Sequence, residues 1–328
     1  MVWVTQDKVG RVNLTSGTDK KNGCETQSGQ IRNGGSELIP AIDAVVNLWT
    51  PDIVRNLPKH MATFWKHMGT PRKYSEVGVP VEELVAAMDE AHIEKGIMMA
   101  MALGEFDVAY EVIRDVVEQY PDRFCAIGGI NPHTGMRGVR KLEKAVKEYG
   151  FIGAHLYPHW FRTPPNDKIY YPFYAKCCEL GVPIQIQIGH SAQTLLPTVA
   201  HPILLDEIAI YFPELKIIGI HIGWPWVEEA IAVAWKHPNV YLGSDAHSPR
   251  YWKPEFIHYL KTRGRDKIIF GTDWPILEFR RTREEIDALD LPEDVKRKLL
   301  RENAYRVYNL SESTAHPTRK QKHVRKRS

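Results

Sequence analysis

From residue 41 onward, short apolar runs alternate with longer segments whose apolar residues recur at helical spacing. The runs are AIDAVV, KGIMMAM, FCAIGGI, FIGAHLY, VPIQIQI, KIIGIHI, NVYLG and KIIFG. Each is short, rich in Ile and Val, and bounded by Gly or Pro, as strands are. Between them VEELVAAMDEAHI, FDVAYEVIRDVVEQY, MRGVRKLEKAVKEY, YYPFYAKCCEL, ILLDEIAIYF and WVEEAIAVAWKH predict helices. Most of these segments stop at Gly150, Gly181, Pro213, Pro238 or just before Pro121, where a helix cannot easily continue. Strands that alternate with helices imply a parallel sheet covered by helices. Eight such units over about 270 residues fit a closed (β/α)8 TIM barrel of the α/β class better than an open sheet. After the last run, TREEIDALDLPEDVKRKLLRENAYRVYNL predicts two closing helices with Leu291-Pro292 between them.

The two ends of the chain read differently. Residues 1–37 are polar and rich in Gly, Ser, Thr and Lys, so they bury little and are expected to be a disordered leader. The barrel domain is expected over residues 38–310, and a basic disordered tail over 311–328. Arg319, Lys320, Lys322, Arg325, Lys326 and Arg327 put six cations in that tail, more than the whole-chain net charge of +3. The rest of the chain is therefore mildly acidic. A solvated tail is the plainer reading. No aromatic residue interleaves the cations and no reading element accompanies them, so nucleic acid is not an expected partner.

Other classes fall away on motifs. No run of about 18 apolar residues exists to span a membrane. The N-terminus lacks the basic stretch and apolar core of a secretory signal, and the cytoplasm is the expected compartment. Cys24, Cys125, Cys177 and Cys178 match no zinc or disulfide spacing. No G-x-G-x-x-G follows the first strand, and neither a P-loop nor a G-x-S-x-G elbow occurs.

In a barrel the C-terminal ends of all strands meet at one face, where catalytic groups gather. The segment IIFGTDWPI sends Asp273 to that face. The other strand ends deliver Asp43, Val45 and Asn47, then His155, Tyr157 and His159, then Gln187 and His190. His221, Ser244, Asp245 and His247 follow on strands six and seven. Several imidazoles and a carboxylate at one rim suit acid–base chemistry. Trp49, Trp160, Trp224, Trp226, Trp252 and Trp274 lie just past strand ends and suggest a cavity for a flat or apolar molecule. Arg250 is placed either to clamp a carboxylate or to form a surface ion pair.

Across residues 38–310 the chain resembles the amidohydrolase superfamily, and within it the amidohydrolase-2 group of decarboxylase-like proteins. The resemblance is carried by IDAVVNLW, IGAHLYP, CELGVPIQIQIGH, FPELKIIGIHIGWPWVEEAIAVAWKHPNVYL, DKIIFGTDWPI and ENAYRVYNL. It implies a divalent metal, zinc or manganese, held by an H-x-H pair on strand one, a His on strand five and an Asp on strand eight. It also implies a strand-six His as base or proton donor. His221 and Asp273 match the last two of these positions. The H-x-H positions hold Val45 and Asn47, and the strand-five position holds Gln187. A metal, if bound, would draw on Asp273, His190, His155 and Asn47; the H-x-H replacement equally allows a site with none.

The resemblance therefore implies a hydrolase or decarboxylase that acts on a small carboxylated cyclic or aromatic molecule at the rim. His221 and Asp273 would be catalytic, with Arg250, Trp224, Trp274, Gln187 and His159 binding the substrate. The alternative is a barrel without catalysis that serves another enzyme as an assembly partner. A protein partner and a homo-oligomer are both open.

Overall fold

The computed structural model describes residues 38–58, 61 and 70–311. The leader of residues 1–37 and the basic tail beyond residue 311 lie outside the described residues. Each apolar run coincides with a strand, β2 starting two residues ahead of its run: β1 Ala41–Val46, β2 Ile93–Ala100, β3 Phe124–Gly129, β4 Ala154–Leu156, β5 Ile184–Gln187, β6 Ile217–Ile220, β7 Val240–Gly243 and β8 Ile268–Ile269. All neighbours are parallel, in the order β1 to β8. The principal helices are α1 Val81–Glu90, α2 Tyr110–Gln119, α3 Met136–Tyr149, α4 Tyr171–Leu180, α5 Leu204–Tyr211, α6 Val227–Lys236, α7 Pro254–Lys261 and α8 Phe279–Asp287. The helices α3 and α4 end on Gly150 and Gly181 in the left-handed conformation, which glycine adopts without steric cost. This is a TIM barrel.

Two departures from the sequence reading have local causes. The helix α7 adds to the expected helices: Pro254 starts it, and Phe256, Tyr259 and Leu260 form its buried face. Strand β8 is shorter than its apolar run because its backbone finds partners outside the ladder. The Phe270 N–H donates to the Leu299 carbonyl at 3.0 Å, and the Phe270 carbonyl accepts from Ala44 N–H at 3.0 Å.

That second bond belongs to the join between β8 and β1. Asn47 N–H donates to the Trp274 carbonyl at 3.0 Å. The buried Asp43 carboxylate accepts from Val45 N–H at 3.0 Å, Thr272 N–H at 3.1 Å and the Thr272 hydroxyl at 2.6 Å. Burial pushes the Asp43 carboxyl up to about 7, against the pull of these three donors. A side chain thus supplies what the short ladder lacks.

Inside the barrel, Ile42, Val45, Ile97, Met99, Ile127, Ile218, Ile220 and Ile269 form one apolar cluster. The Asn303–Tyr308 helix adds Ala304, Val307 and Tyr308 to it. A second, larger cluster fills the space between strands and helices. Among the described residues, no helix is long and apolar enough to cross a membrane.

Candidate active site

Strands β6, β7 and β8 leave the barrel through residues with left-handed backbone: His221 at φ 68°, Ala246 at φ 62° and Asp273 at φ 59°. Each costs on the order of 1–2 kcal/mol for a residue with a Cβ, and such strain gathers at functional sites. All three residues line one cavity of about 430 Å³. Trp49, Met61, Met101, Tyr157, Trp160 and Trp224 give that cavity an apolar wall. Asn47, Gln187, His190 and His247 join His221 and Asp273 as its polar groups.

The strongest polar contact joins neighbouring strand ends. Asp245 Oδ2 lies 2.5 Å from His221 Nδ1, and Asp245 Oδ1 accepts the His221 backbone N–H at 3.3 Å. Gly243 makes room for this carboxylate, since a Cβ there would sit 2.5 Å from Asp245 Oδ1. Burial alone would push the His221 imidazole down, but the charge and hydrogen bond of Asp245, with the charge of Asp273, raise it above the ordinary histidine value. Burial likewise opposes ionisation of Asp245, and the His221 charge and hydrogen bonds overcome it, holding Asp245 below the usual carboxylate range. Each partner thus favours the charged form of the other inside a buried site.

Asp273 completes the group. Asn47 Nδ2 donates to Asp273 Oδ1 at 2.8 Å and to the Trp274 carbonyl at 2.9 Å. Burial pushes the Asp273 carboxyl up to about 7; His221 pulls it down and Asp245 adds to the rise. A buried acid near neutrality beside a buried imidazolium can hold, give or take a proton.

The other residues singled out in the sequence fall in several places. Gln187, His190 and Trp224 line the cavity. The His190 ring meets Trp224 edge-on, with centroids 5.3 Å apart. The buried Gln187 side chain interacts with His159. His159 is buried beside the cavity, donating from Nε2 to the Gly189 carbonyl at 2.9 Å. His155 is fully buried within β4, its Nδ1 2.9 Å from Gln185 Oε1. The Gln185 amide donates to the Ala44 carbonyl at 2.7 Å and the Tyr308 hydroxyl at 2.6 Å, so its oxygen must accept from His155. Burial holds His155 neutral down to about 3 and His159 down to about 4.

Two residues expected to contact substrate face elsewhere. Trp274 stacks on Phe279 at 5.8 Å and packs edge-on against Tyr74 at 5.5 Å, outside the cavity. Arg250 is also absent from the lining; it pairs with Glu285 at 3.5 Å and lies over the Tyr251 ring, the surface ion pair of the two sequence readings. Lys253 is the one Lys or Arg on the cavity wall among the described residues. It donates to the Pro225 carbonyl at 3.4 Å. Nothing in the periodicity marks it, because the turn Pro249–Tyr251 sets which side chain faces inward.

The donor set does not fit a divalent metal. Among the described residues, no three His, Cys, Asp or Glu side chains group so as to hold an ion. Zinc sites use three protein ligands or more. Val45 is fully buried and apolar, His155 binds Gln185 through Nδ1 and is absent from the cavity lining, and Asn47 presents its nitrogen to Asp273, which leaves Asp273 and His190 of the expected ligands on the cavity wall.

Eight parallel strands with this polar group past their C-terminal ends define a TIM-barrel protein. The chain belongs to the amidohydrolase family, whose profile matches residues 42–310. It is similar to a 2-keto-4-carboxy-3-hexenedioate hydratase of Sphingobium sp., with 27% identity over 239 residues, 60% of this chain and 69% of the relative. An uncharacterized TIM-barrel protein of Bordetella bronchiseptica superposes with a TM-score of 0.71 and 26% identity, over 82% of this chain and 98% of that one. A 5-carboxyvanillate decarboxylase of Novosphingobium aromaticivorans, crystallised with manganese, has the same fold with a TM-score of 0.68 and 18% identity, over 84% and 98% of the two chains.

Proposed function

We propose that this chain is an acid–base enzyme that decarboxylates a small carboxylated cyclic or aromatic molecule, with His221 as proton donor and Asp273 as its proton-handling neighbour. The observation that carries the reading is the buried His221–Asp245 pair beside Asp273. Asp245 engages Nδ1, which leaves Nε2 for the substrate. A ring carbon bearing a carboxylate takes the proton from His221. The bond to the carboxylate carbon then breaks, its electron pair returns to the ring, and carbon dioxide leaves. His221, now neutral, regains a proton from Asp273 or water. Proton transfer by a placed side chain contributes about 10²–10⁴-fold to such a step.

The cavity supports the substrate class. Its aromatic and Met walls suit a flat ring, and Lys253 offers a cation to a carboxylate. The hydratase and the decarboxylase above are both named for carboxylated molecules. A second reading is favoured by Asp273 itself. A carboxyl pushed to about 7 is partly ionised at neutral pH and can draw a proton from water, which would open a cyclic ester.

The test is a panel of hydroxybenzoates, benzenedicarboxylates and carboxylated lactones incubated with the protein in D₂O. The expected product has lost carbon dioxide and carries one deuterium at that carbon, and His221→Asn does not form it. Lactone opening without carbon dioxide would establish the hydrolytic reading instead. No turnover across the panel would overturn both and leave the assembly-partner alternative, and equal decarboxylation by His221→Asn would overturn the role of His221.

A further inference from the structure

We propose that the Asn47 amide stands where a metal ion would, holding the Asp273 carboxylate by a hydrogen bond so that the site works without a divalent cation. The proposal rests on local geometry and not on the decarboxylase reading, and its test needs no substrate.

The Asn47 amide has two hydrogens to place. One goes to Asp273 Oδ1 at 2.8 Å and the other to the Trp274 carbonyl at 2.9 Å. Turning the amide over would set its oxygen against the Trp274 carbonyl oxygen, two acceptors with no proton between them. Hydrogen-bond chemistry therefore fixes the nitrogen toward Asp273. A planar amide nitrogen has no lone pair to give a metal. The backbone adds a second tether, because Asn47 N–H also donates to the Trp274 carbonyl at 3.0 Å.

The surroundings agree. Two residues before Asn47, Val45 is fully buried in the inner apolar cluster and has no donor atom. Gln187, at the end of β5, brings an amide to the cavity, and neutral amides are weak ligands for zinc. A cation at Asp273 Oδ1 would have to compete with the Asn47 amide.

Two experiments decide it. Protein from cells grown with added MnCl₂ and ZnCl₂, purified without chelator, is analysed by mass spectrometry of the elements. Less than about 0.1 equivalent of either metal is expected, and the melting temperature should be the same in MnCl₂ as in EDTA, since a ligand that does not bind the fold cannot shift it. In Asn47→Asp a second carboxylate faces Asp273, and the variant should gain a rise in melting temperature with MnCl₂ that Asn47→Asp/Asp273→Asn lacks. About one manganese or zinc per wild-type chain, lost in Asp273→Asn, would overturn the proposal. So would a folded Asn47→Asp with no response to MnCl₂, since the amide nitrogen would not then be what keeps the cation out. If Asn47→Asp does not fold, the wild-type metal content decides alone.

Discussion

The Asp245 carboxylate reaches across from β7 to His221, Oδ2 to Nδ1 at 2.5 Å, and couples two strand ends that are 24 residues apart in sequence. An imidazole held this way has a fixed ring orientation and a stabilised charge. Replacing Asp245 by Asn keeps the shape and removes the charge. Asp245→Asn should lower turnover by about 10²–10⁴-fold on the substrate that the panel identifies, with little change in KM. A kcat within twofold of wild type would refute the coupling.

The pH profile follows from the same pair. His221 is raised above its ordinary value, so it keeps its proton to higher pH than a free imidazole and loses it as pH climbs through its folded pKa. Asp245 is lowered and stays ionised well into acid. The rate of decarboxylation should therefore be flat on the acid side and fall as pH climbs through the raised His221 pKa. In Asp245→Asn the falling limb should move to lower pH, because burial then acts on His221 with less opposition. A rate that instead rises above neutrality would fit Asp273 acting as a base.

Stability in acid should depend on the buried histidines. His155 stays neutral to about 3, and His159 and His247 to about 4, each because of burial. Between 6.5 and 4 the unfolded chain takes up protons at these positions and the fold does not. Their contribution is thus complete above 6.5 and is lost as pH falls, at about 1.4 kcal/mol per unit for each group. Asp43 and Asp273, raised to about 7, act in the opposite sense and gain stability as pH falls. Comparison at one position separates the two. Urea melts should show His155→Asn less stable than wild type at pH 7, with the gap narrowing toward pH 4. A constant gap would mean that His155 is protonated in the fold.

Substrate charge should be read by Lys253 and not by Arg250. Lys253 lines the cavity, whereas Arg250 is paired with Glu285. A hydrogen bond to a charged group contributes about 1.5–3 kcal/mol, so Lys253→Met should raise KM for a carboxylated substrate roughly tenfold to a hundredfold. Lys253→Arg should retain most of the affinity and Arg250→Ala all of it. Steady-state kinetics on the three variants checks the assignment.

Much of the architecture is legible in the residues because apolar runs and Gly or Pro stops report on backbone hydrogen bonding directly. The strand ends also brought Asn47, Gln187, His190, His221 and Asp273 to one cavity, since a parallel barrel collects them there. Arg250 and Trp274 could not be placed that way. The turn at Pro249–Tyr251 and the left-handed Asp273 decide where those side chains go, and neither leaves a periodic trace. The pairing of Asp245 with His221 was hidden for another reason: it depends on which strands are neighbours, and S-D-A-H after β7 is the only local hint.

The join of β8 to β1 has a dynamic corollary. Few main-chain bonds hold it, the Asp43–Thr272 contacts reinforce it, and the Asn47–Asp273 contact lies on it. Sub-global opening begins where backbone pairing is sparsest, so this seam should exchange its amide hydrogens ahead of β2 and β3. The protein would then lose its proton-handling geometry while most of the barrel is still folded. A ligand that spans the cavity from Asn47 to Asp273 would act as a clasp on the closure of the whole cylinder.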